Sequence, residues 1–213
     1  MMRWQAFSDP VQDGQRHFRR VLAAMAEPGT LHDAAAPAVP EDAAIGPALW
    51  ATLLSLCDLD TRLWIAPGLE AGGLVEAVTF HTGCRRAATP EEADFALVTP
   101  ATLVAPGRDS SPAFAEGSDA YPDRSTTLLV VLGTLAGGGP WRLAGPGIPD
   151  TRDLDVGEAT PLMTRLAANR ARFPQGLDAI LCCGERLAAI PRSTRIEASI
   201  SATPEEDRAC TSQ

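Results

Sequence analysis

The chain has 213 residues, 45% hydrophobic and only 5% aromatic, enough for one sizeable domain with an Ala, Leu, Val and Ile core and too short for two comfortable ones. A net charge of −9 and a pI near 4.8 exclude non-specific nucleic-acid binding and disfavour an anionic membrane surface, because nothing would neutralise a run of phosphates. All 18 basic residues are arginine, so an internal aldimine with pyridoxal phosphate, a P-loop lysine and a kinase strand lysine are excluded together.

Along the chain, Asp9 and Pro10 open a helix, Asp9 as cap and Pro10 at the first helical position, with Gln12 where a capping box needs it. Val11, Phe18, Val21, Leu22 and Met25 recur at helical spacing and predict the buried face, and Glu27, Pro28 and Gly29 stop the helix. The other face carries Gln12, Arg16 and Arg19, with Asp13 and Arg20 beside them. That is either a patch for phosphate or an acidic partner, or a solvated charged face. Residues 31–46 are irregular. Pro47 starts a second helix whose Leu49, Trp50, Leu53, Leu54 and Cys57 face the core.

Asp58 to Thr61 turn the chain into a strand at Leu63, Trp64 and Ile65. A third helix is expected over residues 74–81, where His81 caps or fills space. His81 and Cys84 alone are too few for a metal site. A strand follows at residues 95–98, then a long loop over residues 99–124.

Leu128 to Leu132 is an unbroken apolar run, too short for a helix, and reads as a strand buried on both faces in mid-sheet. Gly137, Gly138, Gly139 and Pro140 break it, and Trp141 to Ala144 resumes, which predicts a hairpin ending at Gly145, Pro146 and Gly147. Those two glycines leave amides bare for an anion, or serve a tight turn.

A helix is expected over residues 158–171, with Leu162, Met163, Leu166 and Ala167 inward and Arg165, Arg170 and Arg172 outward. Residues 177–183 and 186–190 form a hairpin about Gly184 and Glu185, and residues 199–213 form a flexible tail after a single domain over residues 1–198. Five cysteines, an odd number with Cys182 and Cys183 adjacent, predict reduced thiols in a cytoplasm. No signal peptide or membrane span is expected. Helices alternating with short strands give an α/β fold, a mixed sheet layered between helices.

Four blocks in order carry a resemblance. They are Pro10, Val11, Gln12 and Asp13 with Phe18, Arg19 and Arg20; Phe80, His81 and Thr82; Leu143 to Ile148; and Phe173 to Asp178 followed by Cys183 to Arg186 and Pro191 to Thr194. Over residues 5–198 the chain resembles the PhnH subunit of the bacterial carbon-phosphorus lyase system. The resemblance implies a three-layer fold like the large domain of pyridoxal-phosphate-dependent transferases, without the cofactor. It implies a homodimer in isolation and a core complex with subunits of the PhnG, PhnI and PhnJ types. With PhnL, that system replaces the adenine of ATP, its substrate, by a phosphonate, giving a ribose 1-phosphonate 5-triphosphate. No catalytic residue carries over.

Displacing adenine at the anomeric carbon needs an acid for the leaving base, stabilisation of an oxocarbenium-like centre, and cationic or N–H donors for a triphosphate. The residues able to contribute are Arg16, Arg19, Arg20, Gly145, Gly147 and Arg186 for anions, with Gln12 on the same helix face, and Asp13 or Glu185 as an acid. Each has a structural alternative: helix-face charge, turn glycine or hairpin tip. A non-catalytic adaptor of the complex and a free-standing small-molecule transferase are the competing functions.

Overall fold

The computed structural model describes residues 4–103 and 112–199. Its ten strands and four α-helices run α1 (Pro10–Ala26), β1 (His32–Asp33), α2 (Pro47–Leu56), β2 (Arg62–Ile65), α3 (Leu74–Thr82), β3 (Arg85–Arg86), β4 (Phe95–Val98), β5 (Thr127–Val131), β6 (Ala136–Ala144), β7 (Arg152–Asp155), α4 (Thr160–Ala167), β8 (Asp178–Cys183), β9 (Arg186–Ile190) and β10 (Arg195–Ala198). Seven strands form a mixed sheet in the order β1-β9-β8-β5-β4-β2-β3, and β10-β6-β7 form a second, antiparallel sheet.

β5 sits fourth of the seven, parallel to β4 on one side and β8 on the other. Its register explains the unbroken apolar run. Leu97, Leu129 and Ile180 lie side by side on one face, against α1, α2 and α3. Ala96, Leu128 and Ala179, with Val98, Val130 and Leu181, line the other face against α4 and the smaller sheet. A strand wetted on neither side can be apolar at every position.

The fold is thus mixed α/β with a large sheet, but helices cover only one face alone. On the other face α4 shares the work with β6, β7 and β10. The expected hairpin through residues 137–140 does not form. β6 leaves the large sheet, pairs with β7 and β10, and absorbs Gly137 to Pro140 in a bulge where Gly137 and Trp141 both oppose Leu154. The exposed glycines of β6 could not fill a place beside β5, where both faces are packed. Residues 152–155, given no element from sequence, form β7. The long loop holds a 3-10 turn at Pro100–Leu103 and a bridge between Glu116 and Ser125. The predicted tail lies outside the described residues, except Ser199.

α1 is rotated from the expected orientation. His17, Val21 and Ala24 are buried, whereas Val11, Phe18 and Leu22 are 67%, 42% and 51% exposed. Small Ala24 lets the helix approach α2 and β9, and Thr52 pairs with one ring nitrogen of His17, so the small and polar arc turns inward. The helix over residues 158–171 shortens to α4 and a 3-10 turn, and Arg165 is not outward. Its guanidinium lies 5.6 Å from the Phe114 ring centre and 3.7 Å from Glu116.

The hairpin β8-β9 turns at Gly184 and Glu185 as expected, and its tip locks the first half of the chain. Ala48 N donates to Gly184 O at 3.0 Å, capping α2, whose N-cap Gly46 offers no side chain. A Cβ on Gly46 would meet that same oxygen at 2.8 Å, so the close approach demands glycine. Ala34 N donates to Glu185 O at 2.7 Å.

Candidate functional site

The first turn of α1 is tightly built. Asp9 Oδ1 accepts from Val11 N and Gln12 N at 3.1 and 3.0 Å. The return bond comes from Asp13, not from Gln12: Asp9 N donates to Asp13 Oδ2 at 3.0 Å. The other Asp13 oxygen accepts from Arg16 at 2.9 Å. Asp13 therefore holds the helix start and one arginine at once. It also lines a pocket of about 240 Å³ with Gln5 to Ser8 and Ala35 to Pro37.

On the exposed side, Gln12, Gln15, Arg16 and Arg19 line a shallow groove of about 300 Å³. Arg19 has no ion-pair partner among the described residues. Arg20 is turned inward, with Nη1 buried and unpartnered. Gly14 sits in the middle of this helix, where glycine costs about 1 kcal/mol relative to alanine, yet a Cβ there would meet nothing within 4 Å.

Beneath the groove lies His17, fully buried. Its Nε2 is 3.0 Å from Thr52 Oγ1, and that hydroxyl donates to Ala48 O at 2.8 Å. The ring nitrogen must therefore be the donor, which leaves Nδ1 bare and without a partner. Burial, and secondarily the Arg20 charge, push the His17 pKa down to about 4.

Because the folded imidazole resists protonation while the unfolded one titrates near 6.5, the unfolded chain binds the extra proton between these values. His17 thus contributes stability that is complete above about pH 6.5 and is lost as pH falls toward 4, about 2 kcal/mol between pH 7 and 4.5. Urea midpoints measured across that range should fall for the native chain and stay flatter for His17→Gln. Equal slopes would remove His17 as the cause.

The glycine loop lies at the other end of α1. Gly147 has φ +79°, and a Cβ there would sit 1.9 Å from Ala26 O. Arg152 reaches over it and donates to Glu27 O at 3.2 Å and to Pro28 O, satisfying carbonyls at the helix C-terminus. Glu27, Gly147, Ile148, Pro149 and Arg152 line an open depression of about 510 Å³. Gly145, with φ +132°, packs its Cα side against Ser193 O and accepts from Ile148 N at 3.1 Å. Both glycines therefore have packing reasons for being glycine.

Glu185 and Arg186, at the β8-β9 tip, have exposed side chains. The segment from Ala34 to Pro37 connects them to the α1 start, since Ala34 bonds Glu185 and the next three residues line the Asp13 pocket. The structure thus brings Asp13 and Glu185 to one end of α1. Gly147 is at the other, 13 residues along the helix from Asp13 to Ala26, about 20 Å at 1.5 Å per residue.

Two well-engaged arginines, Arg152 and Arg192, lie outside the candidate groups that the sequence offers. Arg152 was missed because its partners are carbonyls some 125 residues away. Arg192 appeared only within a motif, yet it is the most engaged guanidinium of the described residues, bonding Asp178, Pro122 O and Ser125 Oγ. Neither shows a local signal.

His81 and Cys84 part company. His81 packs edge-on to Trp50 at 5.7 Å, while the Cys84 thiol shares a hydrogen bond with Cys57. That bond holds Cys84 down to about 6 and, together with burial, pushes Cys57 up. Among the described residues no group of three or more His, Cys, Asp or Glu could hold a metal ion. No helix among them is long and apolar enough to cross a membrane.

A family model described as "Bacterial phosphonate metabolism protein (PhnH)" matches residues 5–197. The alpha-D-ribose 1-methylphosphonate 5-triphosphate synthase subunit PhnH of Rhizobium meliloti (strain 1021) is 39% identical over 196 residues, covering 90% of this chain and 94% of that protein. A protein of Stutzerimonas stutzeri named as a C-P lyase subunit, HtxG, is 28% identical over 194 residues, 91% of this chain and 89% of its own length.

Proposed function

The chain belongs to the PhnH family of bacterial phosphonate metabolism proteins, and from that premise we propose that it is a subunit of the assembly that replaces the adenine of ATP by a phosphonate. The similarity to the Rhizobium synthase subunit over nearly the full length of both chains carries this reading. The placement of the candidate groups supports a dependent role. Asp13 and Glu185 lie at one end of α1, Gly147 with Arg152 at the other, and Arg16 and Arg19 along the exposed face between them, so a triphosphate and a leaving base held together would need groups from further chains. Within such a shared site, Asp13 or Glu185 would supply a proton and the arginines and loop amides would hold oxyanions.

The partners proposed are subunits of the PhnG, PhnI and PhnJ types, with a homodimer in isolation and a cytoplasmic setting. The four described cysteines, all free thiols, support that setting. A likeness to the large domain of pyridoxal-phosphate-dependent transferases is proposed on the large mixed sheet with helices on its faces. With no lysine in the sequence, the chain itself cannot form that cofactor's aldimine.

Adenine release from ATP and methylphosphonate tests the reading. The complete assembly should release adenine, and the assembly lacking this chain, like the chain alone, should not. Brisk release by the isolated chain would return the free-standing transferase.

A second reading, a non-catalytic adaptor, is favoured by the arginine-bearing face of α1. Replacing Arg16 and Arg19 together by alanine should leave the fold unchanged, since exposed ion pairs contribute about 0–1 kcal/mol. It should weaken either ATP binding by the assembly, read by isothermal titration, or the assembly itself. Wild-type behaviour in both assays would remove this patch from the function.

A further inference from the structure

Adenine displacement makes no use of two thiols that meet where α2 and α3 both end. Cys57 is the C-cap of α2, its N donating to Leu53 O at 3.0 Å, and Cys84 follows Gly83, the C-cap of α3. The segments that carry them are fastened together twice. Leu59 packs onto Gly83, so closely that a Cβ there would stand 2.5 Å from Leu59 Cδ2, and Arg85 N donates to Thr61 O at 3.0 Å. The backbone beside each cysteine is fixed as well: Asp58 N donates to Thr61 Oγ1 at 2.8 Å, and Cys84 N to Thr82 Oγ1 at 3.1 Å. Cys57 and Cys84, only 6% and 4% exposed in one apolar cluster, share a hydrogen bond between their sulfurs.

A buried pair reacts only if something can reach it, and the Cys84 side has a route. Cys84 lines a crevice with Leu63, Ile65 and Val78, and the exposed residues Thr79, Arg85 and Arg86 line it toward solvent. Its volume, about 10 Å³, holds one water-sized molecule. Glutathione and protein thiols are therefore shut out, whereas hydrogen peroxide is small enough to insert one oxygen. The pair is also polarised for that reagent. The hydrogen bond from Cys57 holds the Cys84 thiol below its ordinary range against the pull of burial, while the same bond and burial push Cys57 up. One sulfur is thus the attacker and the other keeps its proton.

We propose that Cys57 and Cys84 are a peroxide-responsive pair, the reduced dithiol closing to a disulfide within the chain. The Cys84 thiolate attacks one oxygen of hydrogen peroxide: an S–O bond forms, the O–O bond breaks and hydroxide leaves, taking up a proton as water. Cys57 sulfur then attacks the sulfenic sulfur of Cys84. The S–S bond forms, the S–O bond breaks, and the Cys57 proton departs with the hydroxide as a second water. The thiols are oxidised, the peroxide is reduced, and no further reagent is needed. Cys182 and Cys183 have no such closure, because adjacent Cα atoms lie about 3.8 Å apart, short of the roughly 4.4–6.8 Å that a disulfide spans. In the proposed cytoplasmic setting the resting pair is the dithiol, and the disulfide is a response to oxidant. This site is independent of the subunit reading.

The test treats the folded full chain with hydrogen peroxide, blocks the remaining thiols with N-ethylmaleimide in urea, and maps tryptic peptides by mass spectrometry. Cleavage at arginine separates the two cysteines, Cys57 in the peptide from Val21 to Arg62 and Cys84 in the peptide from Leu63 to Arg85. The expected product joins these two peptides, weighs less than their sum by two hydrogens, and separates on reduction. Cys57→Ser should lose the joined peptide, and dimedone should then trap a sulfenic acid on Cys84 that the wild type does not accumulate. The wild-type map decides the matter even if that variant fails to fold. If peroxide leaves Cys57 and Cys84 open to N-ethylmaleimide while Cys183 is oxidised, the proposal is wrong. It is equally wrong if Cys84 joins a different cysteine, or if the joined peptide forms only when the chain is unfolded before the peroxide is added.

Discussion

Replacing Gly147 by alanine should destabilise the protein by about 4 kcal/mol, from two costs that add. The backbone at φ +79° is a left-handed conformation that a Cβ resists by about 1–2 kcal/mol. The new methyl would also stand 1.9 Å from Ala26 O and 3.0 Å from Pro28, inside any allowed contact, so the loop must lift off the end of α1. Lifting it would disturb the cover that Arg152 gives Glu27 O and Pro28 O. For a chain of this size, with a urea slope of about 2–3 kcal/mol per molar, the midpoint should drop by roughly 1.5 M. Gly133→Ala is the control, since that residue is exposed, has no positive φ and has nothing within 4 Å of a new Cβ. Equal midpoints for the two variants would mean that the loop is not seated on the helix as described.

Arg192→Ala should cost a comparable amount, about 4 kcal/mol, because it strands the Asp178 carboxylate in a site where both side chains are only about 15% exposed. The same guanidinium also supplies Pro122 O and Ser125 Oγ, so the long loop before β5 loses its fastening. Arg192→Lys keeps the charge but not the fork, and should lose about half as much. Removing Asp178 together with Arg192 should cost less than the sum of the two single changes, since the pair fails together. Strict additivity in that double-mutant cycle would show that the two side chains do not couple.

What was legible in the sequence was local. Asp9 and Pro10 announced the start of α1, the apolar run from Leu128 announced a central strand, and Gly184 with Glu185 announced a hairpin, because each signal spans a few residues. The destination of β6 was not legible. Alternation at Trp141 to Ala144 says that a strand exists, not which sheet receives it. The rotation of α1 was missed because its apolar arc and its buried arc share only Val21; His17 turns inward on account of Thr52, 35 residues later.

The same limit governs the candidate site. Asp13 with Arg16 is an i, i+3 pair and could be read directly. That Gly147 touches Ala26, or that Arg192 ties Pro122 to Asp178, depends on contacts 14 to 121 residues apart that leave no periodic trace.

The pairing of β1 with β9 has a consequence for biosynthesis. His32 meets Leu187 across 155 residues of chain, and Gly29 N waits for Ala189 O. At about 5–20 residues added per second, the opening segment emerges from the ribosome roughly 8–30 s before its mate exists. During that interval the first helix has neither the sheet edge nor the hairpin tip to lie on, so the nascent chain must be shielded or stay loosely collapsed until the β8-β9 hairpin has been made.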